Sequence, residues 1–155
     1  MKTFSQSMSD YEAWLAHELQ GELVQEGIDE KHRKMREEAF SFLRATYWRW
    51  AEIIYAVRPE LPDMPQVLSI GDTHLENFGT WRDIEGRLVW GANDFDDAAV
   101  MPYALDLIRL TASALLAVTE GGPPAQTIAA SVLGGYLRAL QTPAPIILER
   151  DHKWL

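Results

Sequence analysis

Two short stretches of the chain concentrate the side chains that could do chemistry. The first, Gly71 to Gly79, reads G-D-T-H-L-E-N-F-G, and the second, Asn93 to Ala98, reads N-D-F-D-D-A. Together they hold Asp72, His74, Glu76, Asn77, Asp94, Asp96 and Asp97. Clustered carboxylates repel one another, so a folded chain must offer them a cation, basic partners or open water. Hard oxygen donors without thiolates favour Mg2+ or Mn2+ over zinc or copper. A magnesium ion held by one or two protein oxygens completes its shell with water and substrate phosphate, which is the arrangement phosphoryl transfer needs. In such a site one Asp orients or deprotonates the attacking hydroxyl, while an Asn and a second Asp hold the metal. Each residue alone also has an ordinary structural use. Asp72 could cap a turn, Asn77 could satisfy a loop backbone, Asp96 and Asp97 could be solvated, and His74 could be a hydrogen-bonded structural histidine.

The elements around these stretches must position them. Gln66–Ile70 carries Val67, Leu68 and Ile70 and predicts a buried strand ahead of the first loop. Residues 87–92, with Leu88, Val89 and Trp90, predict a strand ahead of the second, after a turn at Glu85-Gly86. Gly71–Gly79 and Asn93–Val100 are expected as loops, because strand ends are good platforms for functional groups. Pro102 is expected to open a helix over about 102–119. Its residues Leu105, Leu107, Ile108, Leu110, Leu115 and Leu116 are apolar nearly all round, so the helix should be buried. A last helix is predicted over about 125–140, after Gly121-Gly122-Pro123-Pro124, and then a tail ending at Trp154-Leu155.

Upstream the chain reads as helix. Residues 9–26 carry Trp14, Leu15, Leu19 and Leu23 at helical spacing, with Ser9 as cap, Glu12 as capping-box partner and Gly27 as stop. Residues 29–57 run from charge into aromatics (Phe40, Phe42, Tyr47, Trp50) and suggest two helices broken near Ser41. Pro59, Pro62 and Pro65 mark a connector. The fold class expected is therefore α+β and helix-rich: one domain over 1–155, with a helical region at 1–57, a strand-loop site region at 66–100 and a helical region at 102–140.

Composition narrows the function classes. The 155 residues include no cysteine, which excludes disulfides and thiolate chemistry. The formal net charge is −9, and no basic stripe suggests a nucleic-acid partner. No apolar run is long enough to span a bilayer, so a cytoplasmic setting with no membrane partner is expected. An acidic balance is compatible with a phosphate substrate, because a bound cation reverses the local sign.

The motifs add a resemblance. Asp72 and Asn77 are spaced as in the kinase catalytic loop H-R-D-x-x-x-x-N. Gly71 to Asn77 is similar to the G-D-x-H-x-x-N loop of aminoglycoside and choline phosphotransferases. Asp94-Phe95-Asp96 resembles the metal-binding D-F-G element, and Asp106-Leu107 the helix Asp that follows it. The closest resemblance is to the bacterial domain-of-unknown-function family 2252. Its signature runs G-D-x-H-x-x-N-F-G, then N-D-F-D-E/D, then D-L-x-R-L-x-x-S, matched here by Asp106 to Ser113; Arg33-Lys34-Met35 and Phe42-Leu43-Arg44 are also similar to it.

The resemblance implies a fold similar to the C-terminal lobe of kinase-like phosphotransferases, its small sheet carrying both loops. It implies Asp72 as catalytic base or hydroxyl orienter, and Asn77, Asp94 and Asp96 as Mg2+ or Mn2+ ligands. His74 would support the loop, and Asp106 would brace it. Arg109 and Arg44 would pair with acidic groups or meet phosphate. ATP or another nucleotide would be the phosphoryl donor and a hydroxyl the acceptor; the sequence names neither that acceptor nor an oligomeric state.

A kinase-like site also needs a glycine-rich loop and a lysine on the phosphates. The four lysines, Lys2, Lys31, Lys34 and Lys153, lie in no such strand. The missing parts are expected downstream, with this chain the N-terminal part of a longer protein and incomplete as an enzyme. Two rivals stand beside this reading. One is a non-catalytic pseudoenzyme or binding module, with the Phe40–Tyr55 aromatics as interface or core. The other is a metallophosphoesterase, whose D-x-H opening Asp72-Thr73-His74 resembles but whose later histidines are absent; after His74 only His152 follows.

Overall fold

The computed structural model describes residues 1–151, so His152, Lys153 and the terminal Trp154-Leu155 lie outside the described residues. The fold is α+β and helix-rich, with seven α-helices and five short strands among the described residues. The chain divides into two compact units, Met1–Pro62 and Asp63–Leu155.

The first unit is helical: α1 (Phe4–Glu18), α2 (Gln25–Glu37), α3 (Ala39–Ala45) and α4 (Tyr47–Val57). α1 starts five residues earlier than expected, and Ser9 lies inside it. Thr3 is the cap: its hydroxyl accepts the Gln6 amide, and the Gln6 side chain accepts the Thr3 amide. The helix stops at Leu19, where Gln20 (φ 51°) and Gly21 (φ 86°) turn the chain left-handed. Gly27 therefore stops nothing and lies within α2. The next stretch breaks twice, at extended Glu38 and at Thr46, not at Ser41. Ser41 sits in the new helix, donating to the Glu38 carboxylate. The Thr46 hydroxyl donates to the Phe42 carbonyl, a back-bond that bends helices. The aromatic residues pack together. Tyr11 stacks on Trp48 with centroids 4.8 Å apart, and Phe4 meets Phe42 and Trp48 at 5.3 and 6.2 Å. Arg49 ties α4 to α1 through the Ser7 hydroxyl and the Lys2 carbonyl.

The second unit contains two small antiparallel sheets. β1 (Gln66–Ser69) pairs with β4 (Ala99–Pro102), while β2 (Phe78–Arg82) and β3 (Leu88–Ala92) form a hairpin extended by β5 (Ile146–Ile147). α5 (Ala104–Ala117), α6 (Ala125–Gln141) and the short α7 (Leu148–Asp151) complete it. The expected loops overrun the first two residues of β2 and the first two of β4. Phe78 and Gly79 belong to β2, whose turn is closed by the Asp83 carboxylate accepting the Glu85 and Arg87 amides. Pro102 ends β4 instead of opening a helix. A missing N–H is harmless at the end of an edge strand, and the next amide, Tyr103, bonds the Pro65 carbonyl.

Two expectations of burial fail. In β1 only Ser69 is buried, and Leu68 is 78% exposed. On α5 the buried residues are Leu105, Arg109 and Ser113, while Leu115 and Leu116 lie in solvent. The inward face of that helix is more polar than its apolar composition implied.

Candidate functional site

The two polar loops are the two connections between the sheets. Residues 70–77 lead from β1 to β2, and residues 93–98 lead from β3 to β4. Because β1 pairs with β4 and β2 with β3, the loops run side by side.

Asn77 clasps them. Its buried side-chain amide donates to the carbonyls of Asp72 (3.2 Å) and Asp94 (3.0 Å), and its Oδ1 accepts the Asp94 amide at 2.8 Å. Its backbone carbonyl takes the Asn93 amide at 2.9 Å. Close backbone approach completes the seam. Gly71 has φ +95°, and a Cβ there would collide with the Asp97 carbonyl. Only glycine combines that conformation with that contact.

α5 holds the first loop from below. Asp106, Arg109 and Ser113 share one helix face through their three- and four-residue spacing. β1 ends at Ser69, so the next amides have no ladder partner; Asp106 supplies one. Its carboxylate accepts the Ile70 amide (2.8 Å), the Gly71 amide (3.0 Å) and the Thr73 hydroxyl (2.8 Å). Hydrogen bonds to a charged acceptor are each worth about 1.5–3 kcal/mol. Ser113, fully buried, accepts the Leu75 amide and donates to the Leu110 carbonyl.

Arg109 is 1% exposed and puts both Nε and Nη2 on Asp72 Oδ1 at 2.5 Å. Asp72 thus keeps Oδ2 as its uncommitted oxygen toward Arg109, with buried His74 Nε2 at 3.9 Å from it. The second loop is more open: Asp94, Asp96 and Asp97 are exposed, and Asp94 Oδ1 accepts the Asp96 amide. The carboxyl of Asp97 is held above its usual range, first by partial desolvation and then by Asp72, Asp94 and Asp96, against Arg109.

Asp72, His74, Asn77, Asp94, Asp106 and Arg109 are therefore joined in one network, with Asp96 and Asp97 at its rim. Glu76 is exposed, and Arg44 belongs to the helical unit. Among the described residues no three His, Asp or Glu side chains converge to hold a metal ion. The donor set itself, carboxylate oxygens with a carbonyl oxygen, suits a hard divalent cation. Asn77 would have to use the second lone pair of an Oδ1 that already accepts an amide. Two residues of the network, Ser113 and Thr73, have no role in the sequence reading, and Asp97 figures there only as a member of the acidic cluster. The spacing of Asp106, Arg109 and Ser113 on one helix face was the signal for the first.

Among the described residues no helix is long and apolar enough to cross a membrane. No curated protein and no solved structure matches the chain. The model of one family does match, over residues 23–145, a span that includes both loops and the polar face of α5. The chain belongs to that family, the uncharacterized proteins conserved in bacteria designated DUF2252.

Proposed function

We propose that the second unit carries the hydroxyl-orienting and cation-binding part of a phosphotransferase-type site, in a cytoplasmic protein resembling kinase-like phosphotransferases. The observation that carries this reading is the clasp of two acidic loops around Asn77, with Asp72 fixed from below by Arg109. Asp72, Asp94 and Asp96 add to the partial desolvation that holds the Asp97 carboxyl above its usual range, and a bound cation would relieve that repulsion. A divalent cation would be held by Asp94 and Asp96, with Asn77, and would offset charge on phosphate oxygens. Asp72 acts through Oδ2, accepting a hydrogen bond from an incoming hydroxyl, because Arg109 already occupies Oδ1. Arg109 and Asp106 act by position: one fixes the Asp72 side chain, the other fixes the backbone on which it rides. The phosphoryl donor is a nucleotide such as ATP.

The rival with an observation of its own is a non-catalytic module, since Asp72 is already paired and, among the described residues, no three acidic or histidine side chains converge to hold a metal ion. Calorimetric titration with Mn2+ and then Mn2+·ATP, beside an Asp94→Asn variant of verified fold, separates the two. Metal binding lost in the variant, with ATP affinity gained in the wild type, supports the phosphotransferase reading. A folded wild-type chain that binds no metal leaves the non-catalytic module in front.

A further inference from the structure

The helical unit contains a cleft of its own, of about 420 Å3, between α1, α2 and α3. That size falls within the range of small-ligand sites, about 300–1,000 Å3. Its apolar wall is Phe4, Met8, Met35 and Phe42. Phe4 and Phe42 remain 36% and 40% exposed although their rings meet at 5.3 Å, so the aromatic cluster leaves apolar surface open at the cleft. Two methionines in such a wall adapt to an irregular apolar guest.

The charged groups of the lining are unevenly matched. Glu12 has His32 Nε2 at 2.6 Å and feels the charge of Lys31. Arg36 also lines the cleft, and among the described residues it has no acidic partner. The cleft therefore combines a half-open apolar floor, a carboxylate already provided for and a guanidinium that is not. A guanidinium in that position prefers a planar oxyanion over a neutral group.

We infer that this cleft is a binding site for a small amphipathic carboxylate, its apolar body on Phe4, Met8, Met35 and Phe42 and its carboxylate on Arg36. The site is independent of the acidic loops, and nothing in the proposed phosphoryl transfer requires it.

Octanoate and octanol, equal in chain length and different in charge, make the test, read by two-dimensional amide NMR of the full chain. Octanoate should shift amides of α1, α2 and α3 saturably with one site. Octanol should bind about tenfold more weakly, the scale of one charge-assisted hydrogen bond. Arg36→Gln, at an exposed position, should bring octanoate down to the octanol affinity. Ser9→Phe, which places a ring in the cleft from an exposed helix position, should abolish both. Equal affinity of octanol and octanoate in the wild type, octanoate affinity unchanged by Arg36→Gln, or shifts scattered outside the three helices would each overturn the inference.

Discussion

Arg33 in the helical unit and Arg109 in the second unit are both ion-paired, under opposite conditions. Arg33 bonds Glu30 and Glu37 on the surface of α2, with its side chain 49% exposed. Arg109 is 1% exposed and holds one oxygen of Asp72 with two donors. The units differ in the same way for most of their polar groups. The first packs aromatic rings together and leaves most of its charges in water, with Arg49 and the Glu12–His32 pair as part-buried exceptions. The second contains six of the eight buried polar side chains among the described residues, namely Ser69, Thr73, His74, Asn77, Arg109 and Ser113. Solvated pairs contribute little and tolerate loss. Buried polar groups are costly unless every partner is in place, so a network of them specifies one geometry. The second unit uses its interior to fix two loops, and its apolar residues are left partly outside.

The largest expected effect follows from removing Arg109. Arg109→Met leaves Asp72 in the network without its counter-charge, and the stability of the second unit should fall by about 3 kcal/mol. Hydrogen exchange at the Ile70 and Gly71 amides, which Asp106 holds, should accelerate with it. Adding Asp72→Asn to Arg109→Met should restore most of the loss, because a neutral pair leaves no charge stranded. A double variant as unstable as the single one would show that packing, not charge, makes the site.

Next in size is Gly71→Ala. A left-handed residue without glycine costs roughly 1–3 kcal/mol, and here the new Cβ also meets the Asp97 carbonyl. We expect a loss of about 2–3 kcal/mol, against no comparable loss for Gly27→Ala, where nothing lies near the added carbon. Gly71 also shows what the sequence made legible. The glycine-bounded acidic stretches, α6 and β3 could be read directly, because their signals are local: turn residues, a Pro-Pro entry, an apolar run. The clasp could not. Arg109 and Asp72 are 37 positions apart, and only the fold brings them together. β1 was misjudged as buried because an apolar run does not say which neighbour covers it, and Leu68 has little cover. α5 was misjudged in the same way: its leucines drew attention from the three polar residues that face inward.

A smaller effect of opposite sign is expected at Asp97. Its carboxyl is raised above the ordinary 3.8, so the folded chain binds that proton more tightly than the unfolded chain does. The stabilising contribution is full below the ordinary value and is lost as pH rises through the raised one. At pH 7 the ionised group opposes folding, weakly, because water reaches it. Asp97→Asn should therefore raise the melting temperature by about 1–2 °C at pH 7 in chelator and leave it unchanged at about pH 3. Added Mn2+ should close that gap, if a cation relieves the same crowding. Destabilisation at pH 7 would mean that Asp97 serves the seam by hydrogen bonding and not merely as a crowded charge.

The smallest effect should come from Arg33→Gln, and it tests the comparison most directly. The hydrogen bonds of Arg33 hold the Glu30 carboxyl down at about 2, from an ordinary 4.5. A lowered carboxyl contributes stability above its unfolded value and loses it as pH falls through the folded one. The difference between wild type and variant should thus be present at pH 7 and vanish only near about pH 2. Both partners are solvated, so the difference at pH 7 should stay within about 1 °C and shrink further in roughly 0.5 M salt. Arg109→Met should keep its loss in the same salt, because a buried pair is poorly screened. A salt-resistant loss at Arg33 as large as that at Arg109 would mean that exposure does not separate the two units, and that the helical surface is as tightly specified as the loops.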